Sequence, residues 1–254
     1  MILPNLEYLI VHHCNLNCKG CNKFSPISEE YFADIKEFKR DIIKISELFN
    51  IQEFKILGGE PLLHPKLNKF LILSRSILKD SKITLITNGL LLPKLPELTW
   101  KIIKKYNINI SLSIYPNCKI NEYLNLFRIH DVSFELKYKN YFDIPLILKG
   151  TEDPVKSINY CQNVLNEFCP VIISGKIYPC GYSALIYKFN ERFGLDLPKT
   201  RGLNLYSKNL TPLDILNYLT TPTPLCCHCQ GMNRQRCSWS RSLRCLDEWI
   251  YPKI

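Results

Sequence analysis

Residues 13–21, with the sequence HCNLNCKGC, contain three cysteines, Cys14, Cys18 and Cys21, in the spacing Cys-x3-Cys-x2-Cys. They directly follow an apolar run at 6–11 that predicts a buried strand. Three thiolates this close together can bind three corners of a four-iron cluster and leave the fourth iron open to another ligand. A structural zinc site is the alternative, although four-ligand zinc sites usually contain two Cys-x2-Cys pairs.

Strand patterns alternate with helical patterns from residue 5 to about residue 150. The predicted strands are 6–12, 53–57, 82–87, 108–114, 132–138 and 144–148, and the predicted helices lie near 30–49, 66–78, 97–106 and 121–129. This alternation is typical of βαβ units around a parallel sheet, and right-handed crossovers curl such a sheet towards a barrel. The sequence therefore predicts an α/β fold, a partial (β/α)6 TIM-like barrel, over residues 1–150.

Small and polar residues stand where the predicted strands end, which is where α/β barrels place their ligand-binding groups. The candidates are Gly58, Gly59 and Glu60 after the second strand, Asn88 after the third, and Ser111 and Ser113 on the fourth. Two glycines allow the backbone to pass close to a ligand, and a carboxylate can hold an ammonium group.

The cysteine triplet together with the Gly-Gly-Glu segment resembles the signature of the radical S-adenosylmethionine (radical SAM) superfamily. The resemblance implies that the open iron of a [4Fe–4S] cluster chelates S-adenosylmethionine, whose cleavage gives a 5'-deoxyadenosyl radical. It also implies that Gly58, Gly59 and Glu60 contact the cofactor amine, with Asn88, Ser111 and Ser113 as further contacts. The sequence departs from the family at Gly20, where an aromatic residue commonly stacks on adenine. Phe24 is the candidate replacement.

Composition limits the class of protein. The chain has 254 residues, 46% hydrophobic content and 12 cysteines. A chain of this length is too long for the usual secreted disulfide scaffold, and its hydrophobic content is that of an ordinary globular protein. Neither a secretory signal nor an apolar run long enough to span a membrane is visible. We therefore expect a cytoplasmic protein whose thiols bind metal. The net charge of +10 attracts polyanions, but no nucleic-acid recognition motif accompanies it, so nucleic acid is not the favoured partner.

Eight of the cysteines follow residue 150, where the strand and helix alternation stops. A hairpin is predicted at 171–178, with helices at 181–194 and 212–219. The order of these cysteines resembles the SPASM and twitch extensions of radical SAM enzymes, which carry auxiliary iron–sulfur clusters. The resemblance predicts a small cysteine-rich domain over residues 151–254 with one or two auxiliary [4Fe–4S] clusters. The candidate ligands are Cys161, Cys169, Cys180, Cys226, Cys229 and Cys237.

The resemblance favours an oxidoreductase that abstracts hydrogen from a sugar-like or other small substrate and receives electrons from an external donor such as flavodoxin or ferredoxin. The auxiliary cluster would accept an electron or bind substrate. A peptide substrate is less favoured because the barrel begins near residue 5, which leaves no room for a preceding leader-binding domain. One alternative is a sugar or peptide epimerase with Cys118 as catalytic hydrogen-atom donor. Another is a basic zinc-bearing binding protein without redox chemistry.

Overall fold

Five strands alternate with four helices in the first half of the chain. The computed structural model describes residues 1–116, 118–150, 152–161, 168–230 and 234–251. The strands are β1 Ile2–Val11, β2 Asn50–Gly58, β3 Lys82–Thr87, β4 Ile108–Ile114 and β5 Phe134–Tyr138. The helices are α1 Ile35–Leu48, α2 Leu67–Ile77, α3 Glu97–Lys105 and α4 Ile120–His130. The alternation predicted for this region is confirmed.

Shorter elements follow. They are β6 Tyr141–Ile144, α5 Pro154–Asn159, β7 Val171–Ile173, β8 Lys176–Tyr178, α6 Gly181–Phe193, β9 Leu203–Asn204, α7 Pro212–Thr220 and β10 Gln235–Ser238. The predicted hairpin is β7 and β8, and the two predicted helices are α6 and α7. None of the helices in the described ranges has the length and apolar character needed to cross a membrane.

The central sheet has the strand order β5-β4-β3-β2-β1-β7-β8-β9. Strands β1 to β5 pair in parallel, and β7 adds a sixth parallel strand at the free edge of β1. The predicted α/β class with a partial TIM-like barrel is confirmed. The strand predicted at 144–148 is wrong, because β6 ends before Pro145 and pairs antiparallel with β10. Proline has no N–H with which to continue a ladder.

Alternation along the parallel strands separates a core face from a polar face. On β1, Leu6, Tyr8 and Ile10 are fully buried and belong to the large apolar core. Asn5 and Glu7, whose side chains alternate with these, line a cavity on the other face. The same period of two recurs on the other parallel strands, so the concave side of the partial barrel is polar.

A second apolar cluster holds the C-terminal region against the barrel. It contains Leu185 and Phe189 of α6, together with Phe24, Trp249 and Leu9 of β1. The rings of Phe24 and Phe189 lie 5.2 Å apart, and Phe24 and Trp249 lie 6.2 Å apart. This packing brings the C-terminal region next to residues 13–21, which we call the cysteine loop.

Candidate active site

The cysteine loop begins where β1 ends and closes one side of a cavity of about 810 Å³, the main cavity. Cys14, Cys18 and Cys21 all line it. Positive φ values at Asn17 and Gly20, +55° and +68°, let the backbone turn between the cysteines. The three predicted cluster ligands therefore share one space at the carboxyl end of the parallel strands.

Polar groups from distant parts of the chain surround these thiols. The Asn88 amide donates to Cys14 Sγ at 3.5 Å, and the Trp239 indole N–H donates to Cys18 Sγ at 3.3 Å. Burial raises the pKa of Cys14 and of Cys18 to about 12, and the neighbouring thiols add to the rise. Without a metal these thiols keep their protons, whereas iron would hold them as thiolates.

Gly58 and Gly59 line the main cavity, but the neighbouring backbone explains why both are glycine. A Cβ on Gly58 would lie 2.0 Å from the Val11 carbonyl oxygen, and one on Gly59 would lie 1.9 Å from that of His13. The Gly59 and Glu60 N–H groups donate to these same oxygens, at 2.7 and 3.0 Å. The glycines thus let the end of β2 pack directly against the start of the cysteine loop.

Glu60 lies behind the two glycines and is fully buried. Its carboxylate accepts hydrogen bonds from the Asn88 N–H at 2.9 Å, the Thr87 hydroxyl at 2.7 Å and the Leu62 N–H at 3.0 Å. Burial raises the pKa of the carboxyl to about 7, although these three hydrogen bonds favour the ionised form. The carboxylate therefore joins the ends of β2 and β3 directly beneath the cavity.

The other predicted cofactor contacts also line the main cavity. Asn88 donates to the Asn15 side chain at 2.8 Å as well as to Cys14, so it links the end of β3 to the cysteine loop. Ser111 and Ser113 point into the cavity from β4. All six predicted cofactor residues thus lie around one space, five on its lining and Glu60 just behind it.

A second, smaller cavity is lined by Cys161, Cys180, Cys226 and Cys229, and we call it the auxiliary cavity. Cys180 is the N-cap of α6, where its sulfur accepts from the Ser183 N–H at 3.4 Å. Burial raises the pKa of Cys229 to about 12, and the neighbouring thiols of Cys161, Cys180 and Cys226 add to this rise. The four thiols are therefore close enough to influence one another. Four of the six predicted auxiliary ligands are therefore brought together.

Two side chains form a common wall between the cavities. Tyr182 and Arg234 line both of them. The Arg234 guanidinium donates to Cys161 Sγ at 3.7 Å. Burial raises the pKa of Tyr182 well above its usual value, and nearby Cys229 and Cys21 contribute to the rise, so the ring lies between the two sets of thiols.

The structure does not bring Cys169 and Cys237 to the auxiliary cavity, and their prediction as its ligands is corrected. Cys169 lies on the main cavity, where Lys55 donates to its sulfur at 3.4 Å. Cys237 is on β10, with its sulfur 3.1 Å from where a Cβ on Gly20 would stand. Both positions depend on how the C-terminal region folds back onto the barrel, and the spacing of the cysteines in the sequence does not predict that path.

Two further predicted roles find no support in the described residues. Cys118 is not among those that line the main cavity, and it packs against the large core near Tyr123. Phe24 is fully buried between Tyr182, Phe189 and Trp249, so its ring is not available to stack on adenine.

The site contains two side chains that sequence reasoning left without a role, Tyr115 and Trp239. Tyr115 lines the main cavity and lies close to Cys18, whose thiol adds to the rise that burial gives the pKa of the Tyr115 hydroxyl. The period of two along 111, 113 and 115 could have found it. Trp239 is 221 residues away from Cys18 in sequence, and no local pattern connects the two.

Within the described ranges, no three His, Cys, Asp or Glu side chains converge tightly enough to hold a single metal ion. The thiols of each set instead stand around a shared space. An iron–sulfur cluster takes its thiolates at separate corners, so both sets fit a cluster in their chemistry and their placement.

Residues 8–133 match the family model of the radical SAM superfamily. The chain carries a radical SAM domain. Such a domain uses a [4Fe–4S] cluster and S-adenosylmethionine, which agrees with the three thiols of the cysteine loop and favours a cluster over zinc.

Curated relatives of this radical SAM protein include GTP 3',8-cyclases. The enzyme from Clostridium acetobutylicum is 26% identical over 197 residues, which covers 72% of this chain and 60% of that enzyme. The one from Clostridium botulinum is 23% identical over 262 residues, covering 94% of this chain and 79% of that enzyme. The crystal structure of BtrN in complex with AdoMet and 2-DOIA has a TM-score of 0.54 at 16% identity, with 90% of this chain and 93% of that chain covered. At this identity the likeness shows a shared fold.

Proposed function

We propose that this radical SAM enzyme is an oxidoreductase that converts a carbinol of a small, sugar-like substrate to a carbonyl. Cys14, Cys18 and Cys21 would hold the cluster with the open iron. The proposal depends on one observation, the four cysteines around the auxiliary cavity. Four thiolates occupy all four corners of a four-iron cluster, so none of its irons remains open for a substrate. Such a cluster suits electron acceptance better than substrate binding.

When bound, the cluster of the cysteine loop with S-adenosylmethionine would supply hydrogen-atom abstraction, and the auxiliary cluster would supply an electron acceptor. The carbinol would thereby lose one hydrogen atom from carbon, one electron and its hydroxyl proton, which leaves to water. The chain's own residues position these groups. Gly58 and Gly59 bring β2 against the cysteine loop, Glu60 and Asn88 hold the ends of β2 and β3 in place, and Tyr182 separates the two sets of thiols.

The lining of the main cavity supports a small polar substrate. The four carboxylates that line it are already paired: Glu7 with Lys23 at 2.6 Å, Glu53 with Lys82 at 3.0 Å, Glu135 with Lys82 at 3.5 Å and Asp143 with Arg236 at 3.1 Å. Lys137, Lys139 and Arg234 also line it, and within the described ranges no carboxylate lies in ion-pair distance of these three. Hydroxyl, carbonyl or anionic groups of a substrate would find donors here. An external one-electron donor such as flavodoxin or ferredoxin completes the proposal.

Assays with S-adenosylmethionine, a chemical reductant and a panel of sugars, polyols and their phosphates test the function. We expect 5'-deoxyadenosine together with a product that has lost two hydrogen atoms. GTP belongs in the panel because of the cyclase relatives. A cyclised GTP product, with no oxidation of any other substrate, would replace the oxidoreductase proposal with a cyclase.

Adjacent cysteines provide a matched pair for the auxiliary site. Cys226 lines the auxiliary cavity and Cys227 is not among the described residues that do. We expect Cys226→Ser to lose about four iron atoms per chain, the content of one [4Fe–4S] cluster. It should still cleave S-adenosylmethionine but release no oxidised product. Cys227→Ser should keep both its iron and its turnover. Oxidation that persists in Cys226→Ser would rule out the auxiliary cluster as the acceptor.

A further inference from the structure

The segment that follows β10 lies across the cysteine loop. The Lys19 N–H donates to the Ser240 carbonyl at 2.9 Å, and the Ser242 N–H donates to the Asn17 carbonyl at 2.8 Å. Cys18 and Arg241 form an antiparallel bridge between these two bonds. A short two-stranded pairing therefore fixes the backbone of the loop from the far end of the chain.

Trp239 stands at the start of this segment and reaches a cluster ligand directly. Its indole N–H donates to Cys18 Sγ at 3.3 Å, and its own backbone N–H donates to the Asn140 carbonyl at 2.8 Å. The indole ring lies 5.8 Å from that of Tyr115, which lines the same cavity as Cys18. The orientation of the indole is thus held by its backbone and by a neighbouring ring.

Hydrogen bonds to the sulfur ligands are among the means by which a protein sets the potential of an iron–sulfur cluster. A donor at a thiolate stabilises the more negatively charged, reduced state. Its removal therefore makes reduction harder.

We propose that Trp239 is a positioning residue for the cluster of the cysteine loop, and that its N–H to Cys18 Sγ raises the reduction potential of this cluster. The segment 239–242 holds the indole in place. The role requires only the cluster that the radical SAM domain uses, so it does not depend on the substrate or on the proposed oxidation.

Trp249 provides a matched comparison in the same region. Its indole N–H also donates to the cysteine loop, but to the Cys21 backbone carbonyl at 3.0 Å rather than to a sulfur. The side chain is almost fully buried, next to Phe24. Trp249→Phe therefore removes an indole hydrogen bond to the loop and leaves in place the N–H group that donates to Cys18 Sγ.

The test compares Trp239→Phe with Trp249→Phe in the anaerobic, cluster-loaded protein without substrate. Redox titration followed by electron paramagnetic resonance isolates the cluster whose signal changes when S-adenosylmethionine is added. In Trp239→Phe we expect the ratio of reduced to oxidised cluster at a fixed solution potential to fall about threefold. This corresponds to a reduction potential that is lower by about 28 mV, at 59 mV per tenfold for a one-electron couple. Trp249→Phe should match the parent protein. Equal potentials in all three proteins, or equal shifts in both variants, would overturn the proposal.

Trp239→His keeps an N–H donor and distinguishes tuning from packing. If Trp239→Phe loses the cluster, we expect Trp239→His to retain it and to bring the potential back towards the parent value. Loss of iron in both Trp239 variants while Trp249→Phe stays loaded would overturn the tuning role. A parent protein with no signal that responds to S-adenosylmethionine would instead contradict the proposed function at its first step.

Discussion

At the scale of single residues, Glu60 combines complete burial with three hydrogen bonds, and no cation from the part of the chain that the structure describes pairs with it. The three donors come from the 3₁₀ turn after β2 and from the end of β3, so the carboxylate connects these two segments next to the main cavity. A buried carboxyl is hard to ionise, because the protein interior replaces the water that would solvate its charge. The pKa near 7 reflects this cost.

The stability of the protein should therefore depend on pH through Glu60. The folded protein binds this proton more tightly than the unfolded chain, whose carboxyl has a pKa near 4.5. The contribution of Glu60 is thus most favourable below pH 4.5 and declines as the pH rises to about 7, by about 3 kcal/mol at most. We expect Glu60→Gln to remove this decline when denaturant unfolding is measured across that range without S-adenosylmethionine.

Glu53→Gln is the control, because Glu53 lies on the same cavity and its pKa shifts in the opposite direction. Burial alone would raise that pKa, but hydrogen bonds from Thr84 and Lys82 lower it. The stabilisation from Glu53 is therefore present above pH 4.5 and is lost at lower pH. A Glu60→Gln variant that keeps the parent's decline between pH 4.5 and 7 would show that another group causes it.

At the scale of elements, helix α1 is attached to two parts of the sheet through one buried carboxylate. Asp41 accepts hydrogen bonds from the Tyr8 hydroxyl of β1 at 2.9 Å and from the Tyr206 hydroxyl at 2.5 Å. It also accepts from the Gly175 N–H at 3.1 Å, in the turn between β7 and β8. The helix of the first βαβ unit is thereby tied to the C-terminal hairpin.

Asp41→Asn should destabilise the protein by about 1–3 kcal/mol, because the amide group turns one acceptor into a donor that faces buried donors. The matched control is Glu47→Gln on the same helix, where an exposed pair with Lys44 at 3.8 Å contributes at most about 0.5 kcal/mol. Urea unfolding of both variants measures the difference. Equal midpoints for the two variants would mean that the buried carboxylate is not a significant link.

Most of these elements could be predicted because their signals are local. The period of two on β1 to β4 and the amphipathic pattern of α1 to α4 are properties of neighbouring residues. The partner of β1 at its free edge was not predictable in this way. Strand β7 is only three residues long and follows β1 by some 160 positions, so the pairing is decided by tertiary packing alone.

The site residues likewise fall into those that a local motif predicts and those that only tertiary packing places. The cysteine loop and Gly58 to Glu60 are compact motifs, and the structure brings them together as predicted. Cys169 and Cys161 have the same side chain, so the sequence does not distinguish them. The fold does, because it places Cys169 beside Lys55 on the main cavity and Cys161 on the auxiliary cavity. Trp239 likewise acquires its neighbour only through the return of the C-terminal segment.

At the scale of the whole molecule, the predicted division into residues 1–150 and 151–254 is crossed by several contacts. β7 extends the sheet that β1 begins, Asp41 binds the turn that follows β7, and the segment 239–242 pairs with the cysteine loop. Phe24, next to that loop, is packed among side chains of the C-terminal region. Independent domains share few such contacts, so we expect both regions to unfold as one cooperative unit.

The three tryptophans of the chain allow this to be measured region by region. Trp100 is buried in the large core beside Phe127, whereas Trp239 and Trp249 lie in the C-terminal segment. In the anaerobic, cluster-loaded protein, Trp100→Phe leaves only C-terminal reporters, and the double variant Trp239→Phe with Trp249→Phe leaves only the core reporter. Within each variant, we expect the denaturant midpoint from fluorescence to coincide with that from far-ultraviolet circular dichroism, because loss of either region exposes the edge of the shared sheet. A C-terminal transition at clearly lower denaturant than the circular dichroism change would show that the C-terminal region unfolds separately from the barrel, and that the contacts across the division contribute little to stability.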